Sequence, residues 1–169
     1  MYQGISFGAI VANAETFEPI ETLERSVKFD SNKYKWSAEA EAIHGLSIEW
    51  LEKNGVTKEE AAADLASLIL KYWGPTGLVM FAGHNTGFDV HATDQLLGEF
   101  GIMPVAHHVL LDTSGLGFVL INEFKSNQVF ELLGGIDKRG MHNALDDASA
   151  TLAALRNAKQ IFAAGLAGT

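Results

Sequence analysis

The first thirty residues alternate apolar and polar side chains in the manner of a β-hairpin. Residues 4–12 (GISFGAIVA) form an apolar run, and residues 19–30 alternate apolar and polar positions. Both patterns are typical of strands, whose side chains point alternately to opposite faces. The polar segment at residues 13–16 (NAET) would form the turn, so the pattern predicts two antiparallel strands at the N-terminus.

Helical periodicity replaces this alternation further along the chain. Ser47 can cap a short helix that runs through Glu52, and Thr57 with Glu60 forms a capping box that opens a helix reaching about Trp73. The apolar positions of the longer helix fit one buried stripe, made of Ala61, Leu65, Leu68, Ile69 and Tyr72. This stripe predicts that the longer helix packs against a core.

The second half of the chain alternates apolar runs with helical segments. Residues 78–82 (LVMFA) are continuously apolar, which predicts a strand buried on both faces, and residues 105–111 predict a further strand. Helices are predicted at residues 89–100, 115–133 and 144–163. A hairpin followed by alternating strands and helices predicts an α/β fold, with a mixed sheet flanked by helices.

Composition favours one domain and narrows the possible chemistry. With 169 residues, 47% of them hydrophobic, the chain can bury one core, so residues 1–169 are expected to form a single domain with a frayed tail from residue 163. The absence of cysteine excludes disulfides and thiolate metal sites. No secretion signal and no run of eighteen apolar residues is present, so we expect a soluble, cytoplasmic protein without membrane contact.

The formal net charge of −9 limits how the chain could bind nucleic acid. Its 21 acidic residues outnumber 12 lysines and arginines, whereas a broad grip on duplex DNA relies on clustered cations. An acidic protein can still act on nucleic acid where a divalent metal neutralises both its own carboxylates and the substrate phosphate. The charge therefore favours a small, metal-assisted site over an extended binding surface.

Two polar segments could form such a site. Residues 83–89 (GHNTGFD) follow an apolar run and place Asp89 where a strand ends and a helix begins. Residues 142–148 (HNALDDA) put His142 five positions before Asp147, at the start of the last predicted helix. An imidazole suits the activation of water, and carboxylates suit Mg²⁺ or Mn²⁺.

Both segments also have a purely structural explanation. Asp89 or Asn85 could cap the helix that follows, and Asp146 and Asp147 could benefit from the favourable field at a helix N-terminus. That explanation does not account for His142, whose spacing lets an imidazole and a carboxylate one turn inward face one cleft. Of the two acids, Asp147 is the expected ligand and Asp146 its solvated neighbour.

Together, GHNxxFD at residues 83–89 and HNAxxDA at residues 142–148 resemble the second and third motifs of the DEDDh 3′-to-5′ exonucleases. That family includes proofreading subunits, ribonuclease T and oligoribonuclease. IHGL at residues 43–46 is similar to the family's loop that approaches the terminal nucleotide, and LLDT at residues 110–113 to the strand before its third helix. The likeness runs from about residue 4 to residue 163 and is closest to phage-type members.

The resemblance implies a ribonuclease-H-like fold and two-metal hydrolysis at the 3′ end of single-stranded DNA or RNA. Asp89 and Asp147 would be the metal ligands, and His142 would be the general base. The residues implied to contact or position the substrate are His44, Phe88 and Asn85.

The family's first motif, Asp-x-Glu on the central opening strand, is missing from this sequence. NAET at residues 13–16 echoes it superficially, but only one strand fits between Glu15 and residues 43–45, where the family has two. Residues 4–12 are therefore interpreted as the family's second strand. At most one weakly bound Mg²⁺ or Mn²⁺ is expected, with little or no hydrolysis. If the chain is truncated, adding a segment that carries Asp-x-Glu is expected to restore activity.

The loss of a central strand would also leave unpaired backbone groups in the middle of the sheet. A second copy of the chain could repair this defect, so we expect a homodimer or swapped assembly. Two other interpretations remain: a catalytically dead relative that binds nucleic-acid ends or a replication protein, and a plain α/β domain whose acids are caps. In the plain domain, His107 and His108 would point to opposite faces of a strand and be structural.

Overall fold

The computed structural model describes residues 3–103, 105–137 and 143–167. Its strands are Ser6–Ala12 (β1), Pro19–Ser26 (β2), Leu78–Val79 (β3), Ala82–Gly83 (β4), Val105–Ala106 (β5) and Leu111–Asp112 (β6). Its helices are Ala38–His44 (α1), Ile48–Asn54 (α2), Lys58–Trp73 (α3), Thr86–Gly98 (α4), Thr113–Ile121 (α5), Ser126–Leu132 (α6) and Ala144–Ala167 (α7). An antiparallel hairpin, parallel strand pairs and flanking helices confirm the predicted mixed α/β class.

β1 and β2 form the predicted N-terminal hairpin. Their antiparallel register pairs Ser6 with Ser26 and shifts by one residue near Ala12, where the ladder has a bulge. The side chain of Asn13 accepts hydrogen bonds from two backbone N–H groups of the turn, at 2.8 and 3.0 Å. This local bonding explains why a polar segment reverses the chain here.

The predicted caps of α2 and α3 are confirmed. The side chain of Ser47 accepts from the Trp50 N–H, and Thr57 and Glu60 form the reciprocal bonds of a capping box. The apolar face of α3 packs with α4 on one side of the hairpin. This core contains Ala62, Leu65, Ala66 and Leu97, with Phe7, Ala9 and Leu23 of the hairpin packed against it.

The apolar run at residues 78–82 departs from its prediction. It divides into β3, which pairs in parallel with β5, and β4, which pairs in parallel with β6. The expectation of a strand buried on both faces is wrong, because Val79 is 5% exposed whereas Leu78 and Met80 are 51% and 44% exposed. Side chains alternate across a strand, so one face of this segment lies in the core and the other remains open.

Three further elements differ from the sequence prediction. The helix expected at residues 115–133 is interrupted, because Asn122 adopts a left-handed conformation that ends α5 before α6 begins. Residues 43–46, which resemble a loop of the exonuclease family, overlap the end of helix α1, whose N-terminus is capped by Ser37. His107 and His108 lie beyond the end of β5, and their rings stack with centroids 4.3 Å apart instead of pointing to opposite faces.

A second core lies where α5, α6 and α7 meet. Its buried members are Val129, Phe130, Leu133, Ala150 and Ala154. The start of α7 also lies against β1 so closely that a Cβ atom on Gly8 would clash with the backbone of Ala144 and Leu145. Glycine is therefore required at that position of β1 for α7 to pack where it does.

The strands of the described residues form three separate two-stranded ladders, β1–β2, β3–β5 and β4–β6. No ladder in that part of the chain joins the hairpin to the parallel pairs. Helix α7 nevertheless contacts both β1 and β4, so the same helix packs against the hairpin and against one of the parallel strand pairs. Among the described helices, none has the length and apolarity needed to span a membrane.

Candidate functional site

The carboxyl ends of β4 and β6 form a rigid platform held by two buried threonines. Thr86 and Thr113 are both fully buried. The hydroxyl of Thr86 donates to the backbone carbonyl of Leu111 at 2.9 Å, and that of Thr113 donates to the carbonyl of Gly83 at 3.2 Å. Each bond joins one strand end to the helix start that follows the other, so the two strand-to-helix junctions are fixed side by side.

Asp112 connects the same two junctions through charge-assisted hydrogen bonds. Its carboxylate caps α5 by accepting from the Ser114 N–H at 2.9 Å and from the Ser114 hydroxyl at 2.6 Å. It also accepts from the backbone N–H groups of Asn85 at 3.2 Å and Thr86 at 2.9 Å. These bonds outweigh the effect of burial and lower the pKa of Asp112, so this carboxylate is charged and fully engaged.

Asp89 lies in the first turn of α4, above the end of β4. Its Oδ2 atom sits 2.5 Å from the point that a Cβ atom on Gly83 would occupy, so the carboxylate packs over the strand end. Partial withdrawal from water and the nearby charge of Asp112 raise the pKa of Asp89 to about 6. An acid with a raised pKa beside a second acid is typical of functional sites.

Two further predicted site residues flank Asp89. Asn85 precedes α4 in a left-handed conformation, with φ of 63°, and its side chain makes no cap bond to the helix. Its backbone carbonyl accepts instead from the Phe88 N–H at 2.9 Å. The Phe88 side chain is 69% exposed, so a large aromatic ring stands in solvent next to Asp89. Such a ring is suited to stacking against a nucleobase.

At the start of α7, the side chain of Asn143 caps the helix. The Asn143 side chain accepts from the Asp146 N–H at 2.7 Å and donates to the Asp146 carboxylate at 2.6 Å. The Asp146 carboxylate thus bonds the capping side chain at a solvent-exposed contact, and its part as the solvated neighbour of Asp147 stays a prediction. Asp147 follows it in the first turn, while His142 lies outside the described residues.

His44 lines a cavity of about 710 Å³ that also reaches the start of α7. Its Nδ1 atom accepts from the Leu46 N–H at 3.0 Å, and its ring meets Trp36 edge-to-face at 6.1 Å. Asn143 and the partly exposed Trp50 line the same cavity. The structure thus brings His44 and the α7 segment to one cleft, while Asp89, Asn85 and Phe88 cluster at the end of β4.

The described residues do not form the two-metal site that the sequence resemblance implies. No group of three histidines, aspartates or glutamates in residues 3–103, 105–137 and 143–167 is arranged to hold a metal ion. Asp112, the acid beside Asp89, already accepts four hydrogen bonds and has little capacity left for a cation. The described residues therefore do not account for a two-metal mechanism.

Sequence reasoning noted residues 110–113 as a resemblance but assigned no site role to Asp112, Thr113 or Thr86, which build the platform. Asp112, Thr86 and Thr113 act across two segments that are about 26 residues apart in the chain, so no local pattern reveals them. The Asp112-Thr113-Ser114 order after an apolar run is a signal for an N-cap, and it could have identified α5. His84 bonds to Thr113 through Nδ1 at 3.0 Å and its ring meets the Phe130 ring edge-to-face, so it packs against the platform.

Comparison with protein families assigns most of the chain to one model. The RNase_T model, described as an exonuclease, matches residues 3–155. No significant match was found among curated protein sequences.

Solved structures similar to this chain include exonucleases. Zinc-bound E. coli exonuclease I with single-stranded DNA gives a TM-score of 0.70 at 19% identity, covering 94% of this chain and 37% of that one. A full-length 3′-exonuclease gives 0.69 at 17% identity, covering 95% and 73%. A 3′-exonuclease that recognises the 3′ end of a histone mRNA stem-loop gives 0.66 at 17% identity, covering 93% and 56%.

These similarities confirm the ribonuclease-H-like fold expected from the sequence. The present chain spans little more than a third of the length of exonuclease I.

Proposed function

Because the chain belongs to the RNase_T exonuclease family, we propose that it is a 3′-to-5′ exonuclease-type domain that acts at the 3′ end of single-stranded nucleic acid. The observation that carries this proposal is Asp89, an acid with a raised pKa held at the carboxyl end of β4 beside an exposed aromatic ring. Ligands of open α/β sheets bind at this end of the strands.

The substrate class follows from charge and from the related structures. A protein with a net charge of −9 has few cations with which to hold a long polyanion, so contacts at the chain end should dominate binding. Exonuclease I binds single-stranded DNA, and the 3′-exonuclease recognises an RNA 3′ end. Either sugar is compatible with the proposal, and a direct comparison of DNA and RNA ends decides between them.

Each predicted site residue has a role in the proposal. Asp89 and Asp147 hold at most one Mg²⁺ or Mn²⁺, since oxygen ligands suit these hard cations. His142 acts as the general base, because an imidazole can accept a proton from water near neutral pH. The residues that position the terminal nucleotides are His44, Phe88 and Asn85.

We expect hydrolysis by this chain to be weak or absent. The described acids near the end of β4 are Asp89 and Asp112, and the oxygens of Asp112 already accept four hydrogen bonds. These two residues do not supply enough ligands for two metal ions. Binding of a 3′ end needs fewer groups than bond cleavage does. Two properties can therefore be measured separately: binding of a nucleic-acid 3′ end and hydrolysis of its terminal phosphodiester bond.

The test compares fluorescence anisotropy and cleavage for a 5′-labelled oligonucleotide that ends in a 3′ hydroxyl or a blocking 3′ phosphate. We expect Mn²⁺-dependent preference for the free hydroxyl, reduced about tenfold in Asp89→Ala and in Asp147→Ala, since each removes an expected ligand. Asp146→Asn is the matched control, because it removes the neighbouring charge and keeps an oxygen that can accept from the Asn143 side chain. Equal binding of both ends by all variants would overturn the proposal. Rapid Mg²⁺-dependent cleavage that is lost in Asp89→Ala would overturn the expected inactivity.

A catalytically dead relative that serves as an interaction module is the second candidate. The lack of a three-residue metal group among the described residues favours it. On this alternative, end binding persists without any divalent cation and cleavage is absent in all variants. Retention of end preference in EDTA therefore supports the interaction module over the metal-dependent nuclease.

The proposal includes a second copy of the chain as a protein partner. The hairpin and the parallel strands belong to separate ladders in the described part of the chain, which leaves strand edges available. Pairing with another copy would satisfy backbone groups at such an edge.

A further inference from the structure

A second cavity, of about 330 Å³, concentrates positive charge in this acidic protein. Its lining includes Lys28, Lys33 and Lys58, together with the acids Asp30 and Glu99. Three lysines against two acids give this lysine cavity a positive balance, whereas the whole chain has 21 acids against 12 lysines and arginines. A concave site lined by one sign of charge attracts ligands of the opposite sign, so the lysine cavity favours an anion.

The Glu99 carboxylate holds two of these lysines in place. It accepts from Lys33 Nζ at 2.9 Å, from Lys58 Nζ at 2.8 Å and from the Tyr34 hydroxyl at 3.2 Å. The two ammonium groups also lie 5.4 and 5.3 Å from the centroid of the Tyr34 ring, which stabilises them further. An ammonium group has three N–H donors, so both lysines can bind an anion while they remain bonded to Glu99.

Lys28 adds a cation without an acidic partner. Its side chain is exposed, and its ammonium group forms no ion pair with any acid of residues 3–103, 105–137 and 143–167. Its backbone is nevertheless fixed, because its N–H donates to the Val56 carbonyl at 2.9 Å and its carbonyl accepts from the Gln3 side chain at 2.8 Å. A cation on a fixed backbone loses less freedom when a ligand binds.

The lysine cavity adjoins the cleft that contains His44. Val27 and Val56 form a parallel bridge that continues β2 beyond its last residue. On this segment, Ser26 lines the cleft of His44 and Lys28 lines the lysine cavity. Two residues of extended chain span about 7 Å, so a nucleic-acid strand that ends in the first cleft can reach the second cavity.

We propose that the lysine cavity binds a backbone phosphate of a single strand, on the 5′ side of the nucleotides held beside His44. This inference rests on the proposed function, because it needs a strand whose 3′ end lies in the first cleft. Ammonium groups bind phosphate as point charges and do not read the bases. The contact therefore adds affinity without sequence preference and leaves the choice of 3′ end unchanged.

The salt dependence of binding tests this contact. For single strands, each phosphate neutralised by a cation contributes about −0.7 to the slope of log K against log salt concentration. Lys28→Gln should make this slope shallower by about 0.7 and weaken binding about threefold to fivefold at low salt. Adding Lys33→Gln should enlarge both effects. Fluorescence anisotropy of a labelled single strand, titrated at several salt concentrations, measures the slope and the affinity.

Lys125→Gln is the matched control. It makes the same change in net charge, but Lys125 precedes α6 and lines neither cavity. The slope should therefore stay at the wild-type value. Strands shortened one nucleotide at a time give a second control, because the difference between wild type and Lys28→Gln should vanish once the strand no longer reaches the lysine cavity.

Unchanged affinity and slope in the variant that combines Lys28→Gln with Lys33→Gln would overturn the contact, as would an equal effect of Lys125→Gln. Calorimetry with inorganic phosphate is the second probe. Phosphate binding that depends on Lys28, with strand binding unaffected in the same variant, would assign the cavity to free phosphate and overturn the strand contact.

Preference for a 3′ hydroxyl over a 3′ phosphate is measured on the same variants. Its absence, with the effect of Lys28→Gln intact, would count against the nuclease proposal alone. Its retention without any effect of the lysine variants would count against the phosphate contact alone.

Discussion

The two ends of α4 carry acids in opposite electrostatic situations. At the N-terminal end, the pKa of Asp89 rises to about 6 because the carboxylate is partly withdrawn from water and lies near Asp112. At the C-terminal end, the pKa of Glu99 falls to about 2 because Lys58 and Lys33 bond to its carboxylate. The helix dipole alone would favour the charge on Asp89 and disfavour the charge on Glu99. Burial together with Asp112 therefore overrides the dipole at Asp89, and the two lysines override it at Glu99.

The two acids of α4 differ in their partners, which suggests a structural role for Glu99 and a functional role for Asp89. Glu99 bonds to Lys33 at 2.9 Å and to Lys58 at 2.8 Å, which ties the end of α4 to the start of α3. Among the described residues, Asp89 forms no ion pair with a lysine or arginine. A bound cation would lower the pKa of Asp89 towards its usual value. Perturbed pKa values cluster at functional sites, so the uncompensated Asp89 is the better candidate for a ligand contact.

The largest expected effect comes from removing Asp112, whose carboxylate joins the two strand-to-helix junctions. Asp112→Ala should lower the free energy of unfolding by about 2–3 kcal/mol, since it removes a helix cap and the acceptor of two further hydrogen bonds from the backbone N–H groups of Asn85 and Thr86. Urea unfolding measures this loss. Asp112→Asn keeps one acceptor oxygen and should lose about half as much. A loss below about 0.5 kcal/mol for Asp112→Ala would show that the two junctions are held together by Thr86 and Thr113 alone.

A smaller effect is expected at the other end of α4. Glu99→Gln should destabilise the protein by about 0.5–1 kcal/mol at low salt, and by less at high salt, because its ion pairs are close to solvent. The folded-state pKa of Glu99 lies below its usual value of 4.5, so its contribution is full above that pH and is lost as pH falls towards 2. Thermal unfolding of both proteins across this range measures the change. A difference that persists in strong acid would contradict an origin in the ion pairs.

The sequence predicted the elements whose signals are local. The turn at Asn13 and the caps at Ser47 and Thr57 depend on residues within a few positions of one another, and the structure has them all. The position of Asp89 at a strand end and helix start was predicted for the same reason. The exposed face of Leu78 and Met80 was not predicted, because burial depends on which distant elements cover a strand.

The sequence indicated which residues belong to the candidate site, but it did not indicate their burial, neighbours or pKa values. The raised pKa of Asp89 depends on its burial by elements distant in the chain and on the charge of Asp112, which comes from another strand. The stacking of His107 on His108 depends on β5 ending at Ala106, which the apolar pattern did not indicate. The convergence of Asp89, Asp147 and His142 remains a prediction, with His142 outside the described residues.

The smallest expected effect concerns Asp89 and has the opposite sign to that of Glu99. The folded-state pKa of Asp89 is about 6, above its usual value of 3.8, so the folded protein binds this proton more tightly than the unfolded chain does. Stability therefore falls as pH rises from about 4 to 6, and above that range the charged carboxylate carries a constant penalty.

Asp89→Asn removes that charge and should raise the melting temperature at about pH 7 in EDTA, by about 2 °C or less because the group is partly solvated. The gain should disappear below pH 3.8, where both side chains are neutral. Asp94→Asn on the same helix is the control and should show no comparable gain. A decrease in melting temperature at neutral pH would mean that Asp89 stabilises the fold as a cap, and the contrast between the two ends of α4 would then lose its functional meaning.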